Sequence, residues 1–393
     1  VTYPTACSKS WTDVNVDFKR GTIGHCCKSV YYDFPDEYTS DFFTNSEHIQ
    51  KRRQDTLNGI QHPDCQSCWN DINNGVTPFK DWMNDWDNFD DVKPTEPHVN
   101  YIEVDLDNTC DLSCLYCSAD ASSKIAQEEG IKGIDNTREK DIENFKLWLK
   151  DTINNSTTHI QLAFLGGEPT ASKLFYEIID YVTTLDASNV LLNITTNCNS
   201  KPHLFNKLLD AMDKSQCMWQ INISNESYKD DSALIRYGLD WNRFEQNLRA
   251  YASHKKVKYL SFDATMTSIA IPTFARYIQW VLDTMADYTK KFSIIGDAVY
   301  WPSELDVAIL PESFKTQMDQ AIQLVKENQL PNYINKENTL VFLEGIKTRI
   351  GSNYQEDYKN TVAQFLIPKQ KYKKTDKLMR LADAIDEQDN LAG

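Results

Sequence analysis

The chain of 393 residues contains no run of about 18 apolar residues, so nothing in it is suited to span a membrane. It has no excess of positive charge: 41 Lys and Arg stand against 57 Asp and Glu, a net charge of -16. That balance argues against a nucleic-acid partner, because phosphate binding needs a basic surface. The opening Val1-Thr2-Tyr3-Pro4 lacks the basic and apolar regions of a signal peptide and lacks an initiator Met, so residues ahead of it are expected to have been removed. There is no internal repeat and no low-complexity segment, and the composition excludes collagen, coiled-coil and disordered classes. What is present is ordinary for a soluble globular protein, with 41% hydrophobic and 25% charged residues. The length suits two or three domains, or one large barrel with an appendage.

Cysteine is the informative residue. There are ten, at positions 7, 26, 27, 65, 68, 110, 114, 117, 198 and 217. Disulfide scaffolds are usually short secreted chains; a long acidic chain without a signal reads as cytoplasmic, where such clusters more often bind metal.

Three regions separate. Residues 1–98 hold five cysteines and many aromatics with little periodicity, and read as a small, loop-rich module closed by the Pro-containing linker Val92–Pro97. Within it, Trp82, Trp86 and Phe89 have helical spacing and are expected to pack the module on its neighbour. Residues 99–305 alternate strand-like and helix-like segments. The strands expected are Tyr101–Leu106, His159–Leu165, Val190–Thr195, Trp219–Ser224, Tyr259–Thr265 and Phe292–Val299, which predicts a parallel sheet with crossover helices. Periodicity does not choose between an open sheet and a barrel. Residues 306–393 read as a helical extension, with Ser313–Glu327, Glu337–Ser352 and Leu378–Glu387 as helices and Lys369–Lys377 as a solvated basic run.

Cys110, Cys114 and Cys117 fall within eight residues, just after the first of those strands. Three thiolates can wrap one metal centre, and soft ligands favour zinc or iron–sulfur. A structural zinc site wants four closed ligands. No fourth Cys or His follows nearby, whereas a four-iron cube held by three thiolates keeps one iron open. A zinc site with a distant fourth ligand is the alternative.

The spacing C-x3-C-x2-C, with Tyr116 before the last Cys, resembles the radical SAM superfamily. Three further segments match in order. Gly166-Gly167-Glu168-Pro169 resembles the family's GGEP motif, whose backbone and Glu hold the methionine ammonium. Asn193-Ile194-Thr195-Thr196-Asn197 resembles its ribose-contacting segment, although Cys198 stands where a Gly often follows. Ser224-Asn225-Glu226, with Arg236, resembles the Ser-x-Asp and Arg expected to hold the methionine carboxylate; Glu226 replaces the Asp. The resemblance covers about residues 100 to 300 and implies a partial (β/α)6 TIM-like barrel with its ligands at the C-terminal strand ends. It implies a 4Fe-4S cluster at Cys110, Cys114 and Cys117 that binds S-adenosylmethionine and cleaves it reductively to a 5′-deoxyadenosyl radical, which takes a hydrogen atom from a substrate.

Cys7, Gly21 and Cys26 form C-x13-G-x4-C, which resembles the opening of SPASM and twitch domains; Cys65 and Cys68 add a second pair. The resemblance implies one auxiliary 4Fe-4S cluster with four Cys ligands. Cys27 adjoins Cys26, so either could be the ligand, and spacing favours Cys26. A four-cysteine zinc knuckle is the alternative. This module precedes the barrel, whereas the usual order is the reverse. Relatives with such modules mostly modify peptides or proteins, by crosslinking, epimerisation or oxidation, so a peptide or protein substrate is expected. A low-potential electron donor such as flavodoxin or ferredoxin is implied as partner, with no membrane or nucleic acid. Two other readings stay open: a radical SAM dehydrogenase or epimerase acting on a sugar, nucleoside or amino acid, and a non-catalytic iron–sulfur electron carrier.

Overall fold

The computed structural model describes residues 5–87, 96–131, 138–373, 377–383 and 385. Its framework is one nine-stranded sheet. The strands are β1 (Asp13–Asp17), β2 (Thr22–Gly24), β3 (Tyr32–Asp33), β4 (Tyr101–Asp105), β5 (Ile160–Leu165), β6 (Val190–Thr196), β7 (Met218–Ser224), β8 (Val257–Met266) and β9 (Lys291–Ala298). They lie in the order β3-β2-β1-β4-β5-β6-β7-β8-β9. From β1 to β9 every neighbouring pair is parallel; the β2 and β3 pairings are antiparallel. The fold is therefore mixed α/β with a largely parallel sheet.

The six strands read from the sequence are β4 to β9. Helices Glu139–Asn155, Lys173–Val182, Pro202–Lys214, Trp241–Ser253 and Ile271–Ala286 connect them, because parallel neighbours need a crossover. The first 98 residues differ from the expectation of a loop-rich module. They supply β1, β2 and β3 to this same sheet, with Asn15 paired to Glu103 across the β1–β4 junction. They also carry helices Glu47–Leu57, Gln66–Asn73 and Phe79–Asp87. The side chains of Trp82 and Trp86, and all of Phe89, lie outside the described residues.

One face of the sheet is apolar. Ile102, Val104, Leu162, Phe164, Leu192, Ile194, Trp219, Ile221, Ile223, Leu260 and Phe262 are buried there in the main core, with Phe145, Trp148, Phe175, Leu208, Phe244 and Phe274 from the helices. The opposite face is polar. Strand alternation puts Asn15, Glu103, Ala163, Asn193 and Gln220 in one row across it, and Asp17, Asp105 and Leu165 in the next.

After β9 the chain closes the edge. Helix Lys336–Arg349 packs on β9, and Thr339 Oγ1 donates to the Ile294 carbonyl at 2.6 Å. Helix Tyr358–Lys373, which the sequence reading did not include, returns to the three-cysteine loop. The run Lys369–Lys377 is not wholly solvated: Lys373 is buried, because its ammonium donates to the carbonyl and hydroxyl of Ser113 at 2.6 and 2.8 Å and meets Glu128 at 3.3 Å. No helix among the described residues is long and apolar enough to cross a membrane. Of the helix expected over Leu378–Glu387, residues 379–383 and 385 are helical, and residues 384, 386 and 387 lie outside the described residues.

Candidate active site

The loop after β4 presents its cysteines because its leucines do the anchoring. Leu112 and Leu115 are buried, while Cys110, Cys114, Tyr116 and Cys117 are only partly so. Ser113 N and Leu115 N donate to the carbonyls of Tyr237 and Ile235, both at 2.9 Å, and Ser122 Oγ donates to the Leu112 carbonyl at 2.7 Å. The three thiols line one cleft of about 220 Å³. Among its other lining residues are Tyr116, Gly166, Gly167, Glu168, Asn197, Ser224 and Arg236. Of the residues the sequence singled out, Pro169, Thr196 and Glu226 stand behind this lining. Thr195, from the segment that resembles the ribose-contacting one, also lines the cleft, and Thr265 lines it and was missed. Strand alternation could have found Thr265, which lies next to last in β8 on its polar face.

The two glycines of the turn after β5 have a packing role. Gly166 has φ +129, and a Cβ there would lie 2.7 Å from the Asp107 carbonyl oxygen; at Gly167 it would lie 2.4 Å from that of Thr109. Gly167 N and Glu168 N donate to those same carbonyls at 2.8 and 2.7 Å. The turn thus grips the backbone that leads into Cys110.

Glu168 accepts four hydrogen bonds from its own chain. Its Oε1 accepts from Thr170 N, Thr170 Oγ1 and Thr196 Oγ1 at 3.1, 2.6 and 2.8 Å, and its Oε2 accepts from Asn197 N at 2.7 Å. Oε2 alone keeps room for another donor. Burial pushes this carboxyl up to about 7, against the opposing pull of Thr170, Asn197 and Thr196. Its folded value is above its ordinary one, so its contribution to stability is full below pH 4.5 and is lost as pH rises through about 7. The stability advantage of wild type over Glu168→Gln is therefore expected to fall by about 3 kcal/mol between pH 4.5 and 7.5. Urea melts of both proteins across that range check this; a constant difference would show a carboxylate already ionised at the acid end.

Asn197 is equally tied, donating through Nδ2 to Asp111 at 2.9 Å and accepting from Asn199 N at 2.8 Å. Cys198 points into the core, where its thiol faces the Phe244 carbonyl at 3.6 Å. Its φ is +58, the left-handed conformation that glycine adopts without strain. At this position, where glycine often stands in the family it resembles, Cys198 takes the left-handed backbone itself with its side chain buried.

Arg236 lines the cleft, but its fork is already taken. Nε and Nη2 both donate to Glu226 Oε2, at 3.0 and 2.6 Å, and both residues are buried. Tyr116 OH lies 3.3 Å from each oxygen of Glu226. Burial raises Glu226 while Arg236 opposes that shift. Among the thiols, burial pushes Cys114 up to about 12, with Arg236 and Lys373 opposing, and raises Cys110 and Cys117.

A second group of thiols gathers at the N-terminal end of the chain. Cys7, Cys26, Cys65 and Cys68 line one tight cavity together with Arg52, Trp69 and Phe79. Cys27 faces a different cavity, so Cys26 is the member of the pair that joins the other three. Arg52 is 3% exposed, and its Nε and Nη2 have no hydrogen-bond partner among the described residues. All ten cysteines are free thiols. Among the described residues no three Cys, His, Asp or Glu side chains converge closely enough to hold a single metal ion. A zinc site would need sulfurs at about 2.3 Å from one centre. The thiols of each group are soft ligands of the kind an iron–sulfur core takes, and in the second group a buried guanidinium stands beside them.

Residues 106–271 match the model of the Radical SAM superfamily. No curated protein matches the chain. Among solved structures, Streptococcus suis SuiB bound to S-adenosylmethionine is similar over 81% of this chain and 70% of its own, at 13% identity and a TM-score of 0.42. SuiB bound to the precursor peptide SuiA is similar over 77% and 56%, at 13% identity and a TM-score of 0.39. TYW1 with a lysine-pyruvate adduct bound is similar over 59% and 75%, at 16% identity and a TM-score of 0.36. The family match takes in the three-cysteine loop and the Gly-Gly-Glu-Pro turn, so the part of this chain that carries the cleft is similar to the Radical SAM superfamily.

Proposed function

We propose that the enzyme holds a 4Fe-4S cluster on Cys110, Cys114 and Cys117 with S-adenosylmethionine in the cleft beside it, and a second 4Fe-4S cluster on Cys7, Cys26, Cys65 and Cys68. We further propose that it removes a hydrogen atom from a peptide or protein substrate. When bound, the first cluster and S-adenosylmethionine supply reductive cleavage of a carbon–sulfur bond, giving methionine and a 5′-deoxyadenosyl radical. The observation that carries this reading is the cleft itself: three thiols share it, and its described lining holds no imidazole.

In this reading residues 99–305 form a partial (β/α)6 barrel, residues 1–98 carry the auxiliary cluster, and residues 306–393 are a helical extension. The chain's own groups have defined tasks. Glu168 Oε2 offers its remaining acceptor to the methionine ammonium. Arg236 and Ser224 receive the carboxylate, for which Arg236 shares its fork with Glu226 or releases it. Thr195, Thr265 and Asn197 offer polar contacts to the adenosine. Helix Tyr358–Lys373 covers the cysteine loop, and the Lys373 ammonium sets a positive charge near Cys114. A cluster held by Cys7, Cys26, Cys65 and Cys68 would supply an acceptor or relay for the electron left on the substrate, and a flavodoxin or ferredoxin would serve as external donor. A cytoplasmic setting keeps both thiol groups reduced.

Anaerobic reconstitution with iron and sulfide, then dithionite and S-adenosylmethionine, tests the reading. Methionine and 5′-deoxyadenosine in equal amounts are expected. Zinc in place of an iron–sulfur absorbance, or S-adenosylmethionine recovered intact, would overturn it.

A further inference from the structure

The polar face of the sheet holds a chamber of about 490 Å³ between the two thiol groups. Leu165 borders both this chamber and the three-cysteine cleft, and Cys27 brings its wall next to Cys26. The wall is acidic: Asp17, Glu103 and Asp105 face it from β1 and β4, against Arg20 alone. Arg20 pairs with Asp17 at 3.0 Å, and Lys19 approaches Asp105 at 3.6 Å; both cations also meet Asp120. Among the described residues no cation pairs with Glu103, which accepts only from Asn15 Nδ2 at 2.8 Å and Tyr101 OH at 2.9 Å.

The chamber is also short of donors. Asn15 is 2% exposed, and among the described residues its Oδ1 has no partner. Thr22 Oγ1 and Asp105 Oδ1, on the same wall, are buried and likewise unpartnered among the described residues. Burial pushes the Asp105 carboxyl up to about 6, a cost that a bound cation would remove. Buried acceptors without donors are costly, so a ligand that donates to them gains twice, from the hydrogen bond and from the charge. These carboxylates do not converge tightly enough for a metal ion. The complement is an organic cation broad enough to reach several acceptors.

We propose that this chamber receives a guanidinium or ammonium group of the substrate, a lysine or arginine side chain of a peptide, with Glu103 as its ion partner and Asn15 Oδ1 and Asp105 Oδ1 as further acceptors. The proposal rests on the reading above, in which the reacting carbon lies in the adjoining cleft. It fixes which side of the reacting residue carries the positive charge: the side toward the auxiliary cysteines.

Four fluorescent peptide pools test it, alike except for one fixed central residue: Arg, Lys, Gln or Glu. Binding to the cluster-loaded enzyme is read by anisotropy. The Arg and Lys pools are expected to bind about tenfold tighter than the others, and Glu103→Gln to erase most of that preference. Asp105→Asn serves as a second variant, expected to weaken the same two pools alone. Free arginine displacing the Arg pool as well as the unlabelled peptide does would support the cation site and name a small amine as its occupant. Equal binding of all four pools, binding by none, or a preference untouched in both variants overturns the proposal. Formation of 5′-deoxyadenosine by the same wild-type preparation is measured alongside. Cleavage without charge preference removes only the cation site, and charge preference without cleavage removes only the radical reading.

Discussion

Replacing Cys114 by alanine will lower S-adenosylmethionine cleavage by more than about 100-fold, the upper range of loss when only the partner of a metal ligand is removed. Iron will fall by about four atoms per chain, the content of one cube. The thiol is the central one of the three in the cleft and is held there by its neighbours: Leu115 N binds the Ile235 carbonyl, and Lys373 binds Ser113 from the far side. Cys110 and Cys117 are left with no third thiol among the described residues of that cleft. Because burial holds Cys114 up at about 12, assembly must drive protons off the thiols, so cluster loading of the wild type should quicken as pH rises. Cys217→Ala is the matched control. That thiol is buried ahead of β7, away from the cleft, and its loss should leave cleavage intact. Cleavage by Cys114→Ala at the wild-type rate would remove the three-thiolate site from the mechanism.

The framework was legible where local pattern and global pairing agree. Ile160–Leu165 and Met218–Ser224 are apolar or alternating runs that lie between helices of 3.6-residue period, and a parallel sheet follows from that alternation. The sequence concealed β1, because Asp13-Val14-Asn15-Val16-Asp17 is short and becomes a strand only by pairing with β4, 88 positions away. Its polar–apolar alternation is a strand signal, but five residues are too few to tell a strand of the main sheet from a loop, and the parallel partner leaves no local trace. The motif residues were legible by spacing, yet their partners were not. Nothing in the chain says that Arg236 will bind Glu226, or that Glu168 will spend most of its acceptors on Thr170, Thr196 and Asn197. Lys373 read as one more residue of a basic run and is instead a buried strut on the cysteine loop. Cys198 was the reverse case: the sequence left open whether it lines the site or fills space, and the structure buries it in the core at a φ of +58, a conformation suited to the Gly that often follows Asn in the family it resembles.

Arg52→Met and Cys65→Ala will separate the two roles of the N-terminal cavity. Cys65→Ala removes one of four thiols and should lower iron by about four atoms per chain while S-adenosylmethionine is still cleaved. Arg52 lies in helix Glu47–Leu57, in a stretch, Glu47-His48-Ile49-Gln50-Lys51-Arg52-Arg53, that gives no hint of function. Its guanidinium is nonetheless buried beside the four thiols with two donor atoms unpaired. A buried unpaired cation costs several kcal/mol. In the metal-free protein that cost stands, so Arg52→Met should be neutral or stabilising there. Four thiolates around an iron–sulfur cube are anionic, and the same guanidinium then opposes their charge and donates to sulfur. Hydrogen bonds to charged groups contribute about 1.5–3 kcal/mol. Only the part of that strength that differs between the reduced and oxidised cluster moves the potential, so for a one-electron couple, where about 1.4 kcal/mol corresponds to 59 mV, the auxiliary potential of Arg52→Met should drop by at most roughly 60 to 130 mV. Redox titration followed by electron paramagnetic resonance reads it directly. The sign is diagnostic: removing a cation favours the oxidised, less negative cluster, so the potential must fall. A potential that rises, or metal-free protein that loses several kcal/mol on the same substitution, would make Arg52 a structural residue of the helix and leave the four thiols without their counter-charge.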